Sequence, residues 1–424
     1  MSYRIIITNI VVLNGGDGAI LFGMIKILRR TFGEECKILV YASRPDVARR
    51  MFPEIEFRET LGIAATRAPF AHVRYLGRIC RILQRTRYLA AAWGWTHGLR
   101  FLVRLLPTAQ RGYLQEYADA DLVASSGGTY LKEEYGILTQ VCDYRLTLLL
   151  GRPLVFFTQS LGPFKRPANR RAMKSILRRS CCILLRDDRS RGNVEALGVT
   201  GVPVHLAADA AFALADPAVL EAAIEREAKQ EGALRVVVSV RYWRHFASCA
   251  KEEGMARYRR AIAEAVRRLV QGGAEVTFLS TCQGNPEYDD DSREAEEVVR
   301  LLDAGAASRV RIVREFVRFD ELMVRLKDFD LCIGTRMHMC ILSLISGTPV
   351  LPVAYEFKTK ELFDGLGLGE WVTDIESISP DAFGELVQAF LEVMPELRVD
   401  LFRKVLGLHQ NAMQSGSYIL CSRD

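Results

Sequence analysis

Two α/β domains, each a parallel sheet with helices on both faces and the pair facing across a cleft, are what this sequence predicts. Three observations carry that expectation. Short apolar runs alternate with amphipathic stretches from Arg4 to Val353, the pattern of repeated strand–helix–strand units. The runs are nearly continuous in apolar residues, as strands buried on both faces require. The chain has 424 residues, 49% hydrophobic and 25% charged, which suits two or three ordinary globular domains.

Taken in order, Arg4–Asn9 reads as a short buried strand, followed by the turn Asn14-Gly15-Gly16-Asp17-Gly18 and a helix through Arg30. Strand 37–41, helix 44–51 and 55–57 come next. Leu122–Ser125 is a strand ending at Gly127-Gly128, with a helix to Leu150. Strand 153–157, helix 167–180, strand 183–185 and a helix from Asp187 complete the first half. The second half repeats the plan: strands at 235–240, 275–279, 309–313, 330–333 and 349–353, separated by helices at 255–271, 292–304, 319–327 and 336–346. Charged residues around Glu221–Gly232 mark a linker. The domains are therefore placed at 1–220, with a helical insertion at 67–118, and at 232–395. The stretch 380–413 reads as two helices, and 396–424 is expected to pack back on the first domain.

Composition excludes several classes. No apolar stretch reaches the ~20 residues that a membrane-spanning helix needs. Met1-Ser2-Tyr3-Arg4 runs straight into Ile5-Ile6-Ile7, which leaves no room for a secretory leader and predicts a cytoplasmic chain. The ten cysteines form no C-x-x-C pair and have no histidines at zinc-finger spacing, so buried reduced thiols are expected rather than a metal. Asp289-Asp290-Asp291 reads as a solvated loop capping the next helix, not as a magnesium site.

Charge is uneven. Lys plus Arg is 57 against 51 Asp plus Glu, a net +6, yet no acidic residue lies between Glu59 and Glu116. Nine arginines fall in that gap, so the rest of the chain is slightly acidic. Phe70, Tyr75, Tyr88, Trp93, Trp95 and Phe101 are interleaved with them. Two readings of 67–112 stand: an interfacial segment on an anionic membrane at the inner face of the cell membrane, or a helical insertion packed on the core with solvated arginines. No basic stripe elsewhere extends a phosphate-tracking groove, so nucleic acid is not expected.

In open α/β sheets, ligands bind where strands end and helices begin. Asn14-Gly15-Gly16-Asp17 and Ser125-Ser126-Gly127-Gly128-Thr129 are glycine-rich turns at such ends, but neither is a dinucleotide fingerprint or a Walker loop. Thr158-Gln159-Ser160-Leu161-Gly162-Pro163 puts polar side chains after an apolar strand. Arg186 leaves an apolar strand and needs an acid or an anionic ligand. Gly334-Thr335-Arg336-Met337-His338 delivers an arginine and a histidine to a helix start, with Lys358 after the next strand. Two cations, a helix N-terminus and a proton carrier suit a small polyanion.

The ordered set Asn14-Gly15-Gly16-Asp17, Ser126-Gly127-Gly128-Thr129, Thr158–Pro163, Arg186-Asp187-x-x-Ser190, Ala208-Asp209-Ala210-Ala211-Phe212, Ser239-Val240-Arg241 and Gly334-x-Arg336-x-His338 resembles the polysaccharide pyruvyl transferase family. The resemblance implies a GT-B-like pair of Rossmann-like domains. It implies transfer of a pyruvyl group from phosphoenolpyruvate to two hydroxyls of one sugar, in a surface polysaccharide or its lipid-linked precursor, giving a cyclic ketal and phosphate. On that reading His338 and Arg336 are catalytic, and Arg186, Arg336, Lys358 and Gly334 hold the donor. Asn14, Asp17, Gly127, Gly128 and Gln159 face the acceptor, and neither metal nor cofactor is required. The insertion and the Thr-Gln-Ser turn depart from the family pattern. A GT-B glycosyltransferase with a nucleotide-sugar donor is the rival, with Glu356 or Glu361 reading the ribose. A non-catalytic sugar- or membrane-binding module leaves the gathered cations unexplained.

Overall fold

A computed structural model describes residues 2–67, 74–225, 232–285 and 288–422. It divides the chain into two compact units. One comprises 1–12, 20–213 and 411–424, the other 13–19 and 214–410.

The first unit holds eight strands: β1 (Arg4–Ile10), β2 (Lys37–Ala42), β3 (Phe57–Glu59), β4 (Leu122–Ser125), β5 (Gly128–Leu131), β6 (Leu154–Leu161), β7 (Cys182–Leu185) and β8 (Val204–Leu206). They form one sheet in the order β3-β2-β1-β4-β6-β7-β8, with β5 also on β6. Every pairing is parallel. β4, β6 and β7 are buried along their whole length, which is why 122–124, 154–157 and 182–185 read as unbroken apolar runs. β6 continues through Thr158-Gln159-Ser160, where the sequence suggests a turn. The cause is β5, which pairs Gly128 with Gln159 and Leu131 with Leu161; Gly-Thr-Tyr-Leu is too short for its period to show.

The arginine-rich insertion is helical at Leu61–Thr66, Arg74–Thr96 and Thr108–Ala118, with a 3-10 turn at Arg100–Leu105; Phe70 and its neighbours 68–73 lie outside the described residues. Its inward side chains, Tyr88, Ala91, Ala92, Leu106, Leu114 and Tyr117, join one core cluster with Tyr144, Leu146 and Phe156.

The second unit has six strands: β9 (Arg235–Ser239), β10 (Glu275–Phe278), β11 (Val310–Ile312), β12 (Leu331–Gly334), β13 (Val350–Ala354) and β14 (Thr373–Asp374). Their order is β11-β10-β9-β12-β13-β14, again all parallel. The C-terminal stretch is one helix, Pro380–Cys421, with Pro395 inside it, not the expected two. Arg398 donates to the Ala223 carbonyl on one side, and His205 stacks on Tyr418 at 4.1 Å near the other end. Phe390, packed on Trp371 at 5.2 Å before the proline, and Arg398 after it hold the helix on both sides of Pro395 and offset the one helical hydrogen bond it removes. Among the described residues, no helix is long and apolar enough to cross a membrane, and no cluster of His, Cys, Asp or Glu is fit for a metal.

Candidate active site

The carboxyl end of the second sheet collects charge. β12 ends in Gly334-Thr335 and the helix Met337–Ile345 begins at once. A Cβ on Gly334 would lie 2.4 Å from the Cys340 sulfur, so glycine there lets helix and strand close up. Arg336 is buried and grips Asp291 with two hydrogen bonds, Nε at 2.8 Å and a terminal nitrogen at 2.6 Å. Asp291 also accepts from Ser280 at 2.5 Å. Burial works against the Arg336 charge, but Asp291 and Cys282 outweigh it, and the guanidinium sits well above its ordinary value. Asp291 is thus no part of a solvated loop. Only Asp290 plays the expected capping role, accepting from the Ser292 N–H at 3.1 Å.

The turn at 13–17 belongs to this unit and not to the first, where the sequence expectation puts it. Gly15 donates to the Thr281 carbonyl at 2.9 Å, and Asn285 to the Leu13 carbonyl at 2.8 Å. Gly16 lies flat on His338: a Cβ there would come within 2.7 Å of the histidine Cβ. Asn14, expected to meet the acceptor, caps the helix Gly15–Phe32 by accepting from the Asp17 N–H at 3.0 Å, a contact worth about 1 kcal/mol. Asp17 accepts in turn from Asn14 at 2.9 Å and from the Leu13 N–H at 3.3 Å. Burial pushes its carboxyl up to about 6, against the pull of His338, the Leu13 N–H, Arg336 and Lys358. The sequence associates Asp17 with the acceptor side, but the fold sets it among the expected donor-side residues.

Lys358 stands in the first turn of the helix Phe357–Gly365 and pairs with Glu356 at 2.8 Å, which engages the carboxylate considered for reading a ribose. Arg241, just past β9, completes the group. Its guanidinium stacks on Tyr355 at 3.9 Å and on Trp243 at 5.1 Å. Its Nε is buried with no hydrogen-bond partner among the described residues. Sequence reasoning gave Arg241 no role, although Ser239-Val240-Arg241 lies at a strand end. An adjoining cavity of about 360 Å³ has Asp289, Asp290, Asp291, Glu294 and Glu297 on its walls against Arg259 and Arg293, a poor setting for an anion.

The first unit's strand ends are polar but carry little unpaired charge. Arg186 forms a buried ion pair with Asp209, and its Nε donates to Ser160 at 2.9 Å. A terminal nitrogen lies 3.3 Å from the Thr129 hydroxyl. Gln159 donates to the Gly128 carbonyl at 2.9 Å, and Gly127 is buried next to it. Asp143, fully buried, accepts from Thr8 at 2.8 Å, Asn9 at 3.0 Å, the Gly62 N–H at 3.2 Å and Tyr117 at 3.2 Å. Burial pushes its carboxyl to about 6 as well. Asn9 and Thr158 sit at φ +59° and +39°, an outlying conformation for a β-branched threonine.

Comparison with known proteins agrees with this architecture. The family described as polysaccharide pyruvyl transferase matches residues 14–356. The amylovoran biosynthesis protein AmsJ of Erwinia amylovora is 28% identical over 304 residues, 69% of this chain and 72% of that protein. Among solved structures, S. aureus MnaA with UDP has a TM-score of 0.55 at 11% identity, over 98% of this chain and 94% of that one. The trehalose 6-phosphate synthase of Burkholderia multivorans gives 0.54 at 14%, over 100% and 98%. At such identities the structures show the fold alone, two Rossmann-like domains of the GT-B kind. The family match spans most of the chain, and this chain belongs to the polysaccharide pyruvyl transferase family.

Proposed function

We propose that the donor is phosphoenolpyruvate and that the product is a cyclic pyruvyl ketal on a sugar of a polysaccharide or of its lipid-linked precursor, made on the cytoplasmic side of the membrane. The observation that carries this is Arg241, a stacked guanidinium with a buried, unsatisfied Nε–H, on the same sheet end as Arg336 and Lys358. Phosphoenolpyruvate brings a phosphate and a carboxylate, and fixed cations stabilise both without reorganising. Arg186, whose guanidinium is engaged by Asp209, Ser160 and Thr129, fits a structural part better than a place in this clamp.

A proton adds to the vinyl CH2 of the donor, and one sugar hydroxyl forms a C–O bond to the adjacent carbon while losing its proton. The C–O bond to phosphate then breaks and phosphate leaves with the electron pair. The second hydroxyl bonds to the same carbon and gives up its proton to the departing phosphate. Asp17, its carboxyl pushed up to about 6 by burial, supplies the first proton, as an acid poised near the working pH does best, and His338 takes the hydroxyl proton.

Phosphate release from phosphoenolpyruvate, with and without a panel of galactosyl, mannosyl and N-acetylhexosaminyl acceptors, tests this. Acceptor-dependent release with a pyruvyl mass gain on the sugar supports it. Calorimetric binding of a nucleotide sugar without any binding of phosphoenolpyruvate would replace it with the glycosyltransferase reading.

A further inference from the structure

The helix Arg74–Thr96 shows apolar residues on two opposite faces. At 3.6 residues per turn, Gly77, Tyr88, Ala91 and Ala92 share the inward face, and all four are buried. Tyr75, Leu76, Ile79, Ile82 and Leu83 fall on the other side, between 48% and 77% exposed. Trp93, 43% exposed, continues the same line. A helix on a globular surface normally turns polar groups to water; this one presents a second apolar stripe. Arg78 and Arg87, both exposed, border the stripe on its two sides. The 3-10 turn beside it adds Phe101 at 62% exposure and Arg100 and Arg104, and Arg87 ties the two together by donating to the Leu105 carbonyl at 2.9 Å.

We propose that this outward face docks on an anionic lipid surface, with the apolar stripe entering the headgroup–acyl boundary and the arginines meeting the headgroups. Charge complementarity selects this occupant. Between Glu59 and Glu116 there is no carboxylate to repel an anionic membrane. Apolar bulk flanked by arginine is the composition that holds a helix in the interface plane. Docking is independent of the catalytic reading.

The test is sedimentation of the full chain with vesicles of phosphatidylcholine alone and of phosphatidylcholine with phosphatidylglycerol. Sedimentation velocity and circular dichroism are run on the same samples. The proposal expects binding to the anionic vesicles only, and weaker binding in high salt as the screening length shrinks. Arg78→Ala should weaken partitioning about fivefold, the share of one surface arginine. The double variant Ile79→Glu, Leu83→Glu should stay folded and lose binding. Failure of the wild type to bind either vesicle overturns the proposal, and so does unchanged binding by the double variant. A wild-type dimer that the double variant splits, without vesicle binding, assigns the face to a second copy. A mobility shift with duplex DNA in place of vesicle binding assigns it to nucleic acid. Phosphoenolpyruvate binding, measured in parallel, separates failure here from failure of the catalytic reading.

Discussion

The two sheets are built on one plan and finished in opposite ways at their carboxyl ends. In the second unit the strand ends gather Arg241, Arg336, Lys358, His338 and Asp17. In the first they gather hydroxyls, amides and Asp143, and Arg186 there is closed off by Asp209. Both units hold an aspartate raised to about 6 by burial, but the neighbours differ. Asp143 is surrounded by neutral donors, whereas Asp17 sits among cations and a histidine. The difference teaches that burial alone shifts a carboxyl, while the neighbours decide whether the shift can serve chemistry.

The largest effect that would break this contrast is on turnover. His338→Ala should lower kcat by about 10²–10⁴ if the histidine moves the hydroxyl proton, measured as phosphate release, while phosphoenolpyruvate still binds by calorimetry. Activity equal to wild type removes it from the chemistry. Next come the two buried arginine–aspartate pairs. Removing either aspartate strands a buried guanidinium and should cost about 3–5 kcal/mol, read as a lower urea midpoint for Asp291→Ala and Asp209→Ala. The comparison is sharpened by the mild replacements: Arg336→Lys should impair donor binding, whereas Arg186→Lys should change stability and leave the donor's Kd in place. An equal loss of donor affinity in both returns Arg186 to the clamp.

Arg241→Ala comes third. Loss of one charge-assisted contact to the donor is worth about 1.5–3 kcal/mol, so its KM for phosphoenolpyruvate should rise by about 10–150-fold with the fold intact. An unchanged KM would leave its unpaired Nε–H without a functional explanation.

Much of this was legible in the sequence, and the exceptions have physical causes. The parallel strands announce themselves because both faces are buried, as β6 and β13 show. The Arg336–His338 turn is legible because a strand must end where its polar residues begin. β5 was not, since its four residues gain strand character only from β6 beside it. The placement of Asn14 and Asp17 was not either. They follow β1 in the chain, yet contacts to Thr281 and Asn285, more than 260 residues away, fix their unit. Arg241 enters only as part of the Ser239-Val240-Arg241 motif and without a role, because an arginine after a strand is common and only its stacking on Tyr355 sets it apart.

The smallest effect tests the pair of aspartates directly. A carboxyl whose folded value is raised to about 6 keeps its proton in the folded chain after the unfolded chain has lost it, near 4. Between those two values the folded state binds more protons, so stability falls as pH rises through the window and stays at the lower level above it. Asp143→Asn and Asp17→Asn should each remove part of that fall, seen as a flatter dependence of the urea midpoint on pH from about 4 to 6. The activity profiles should then part. Turnover that needs Asp17 protonated declines as pH rises through about 6, and Asp17→Asn should abolish that limb along with most of the rate. Asp143→Asn, sealed behind Thr8, Asn9 and Tyr117, should leave the limb where it is. If both variants flatten stability alike and neither moves the rate profile, the proton comes from elsewhere, and the contrast between the two sheet ends is one of structure rather than of chemistry.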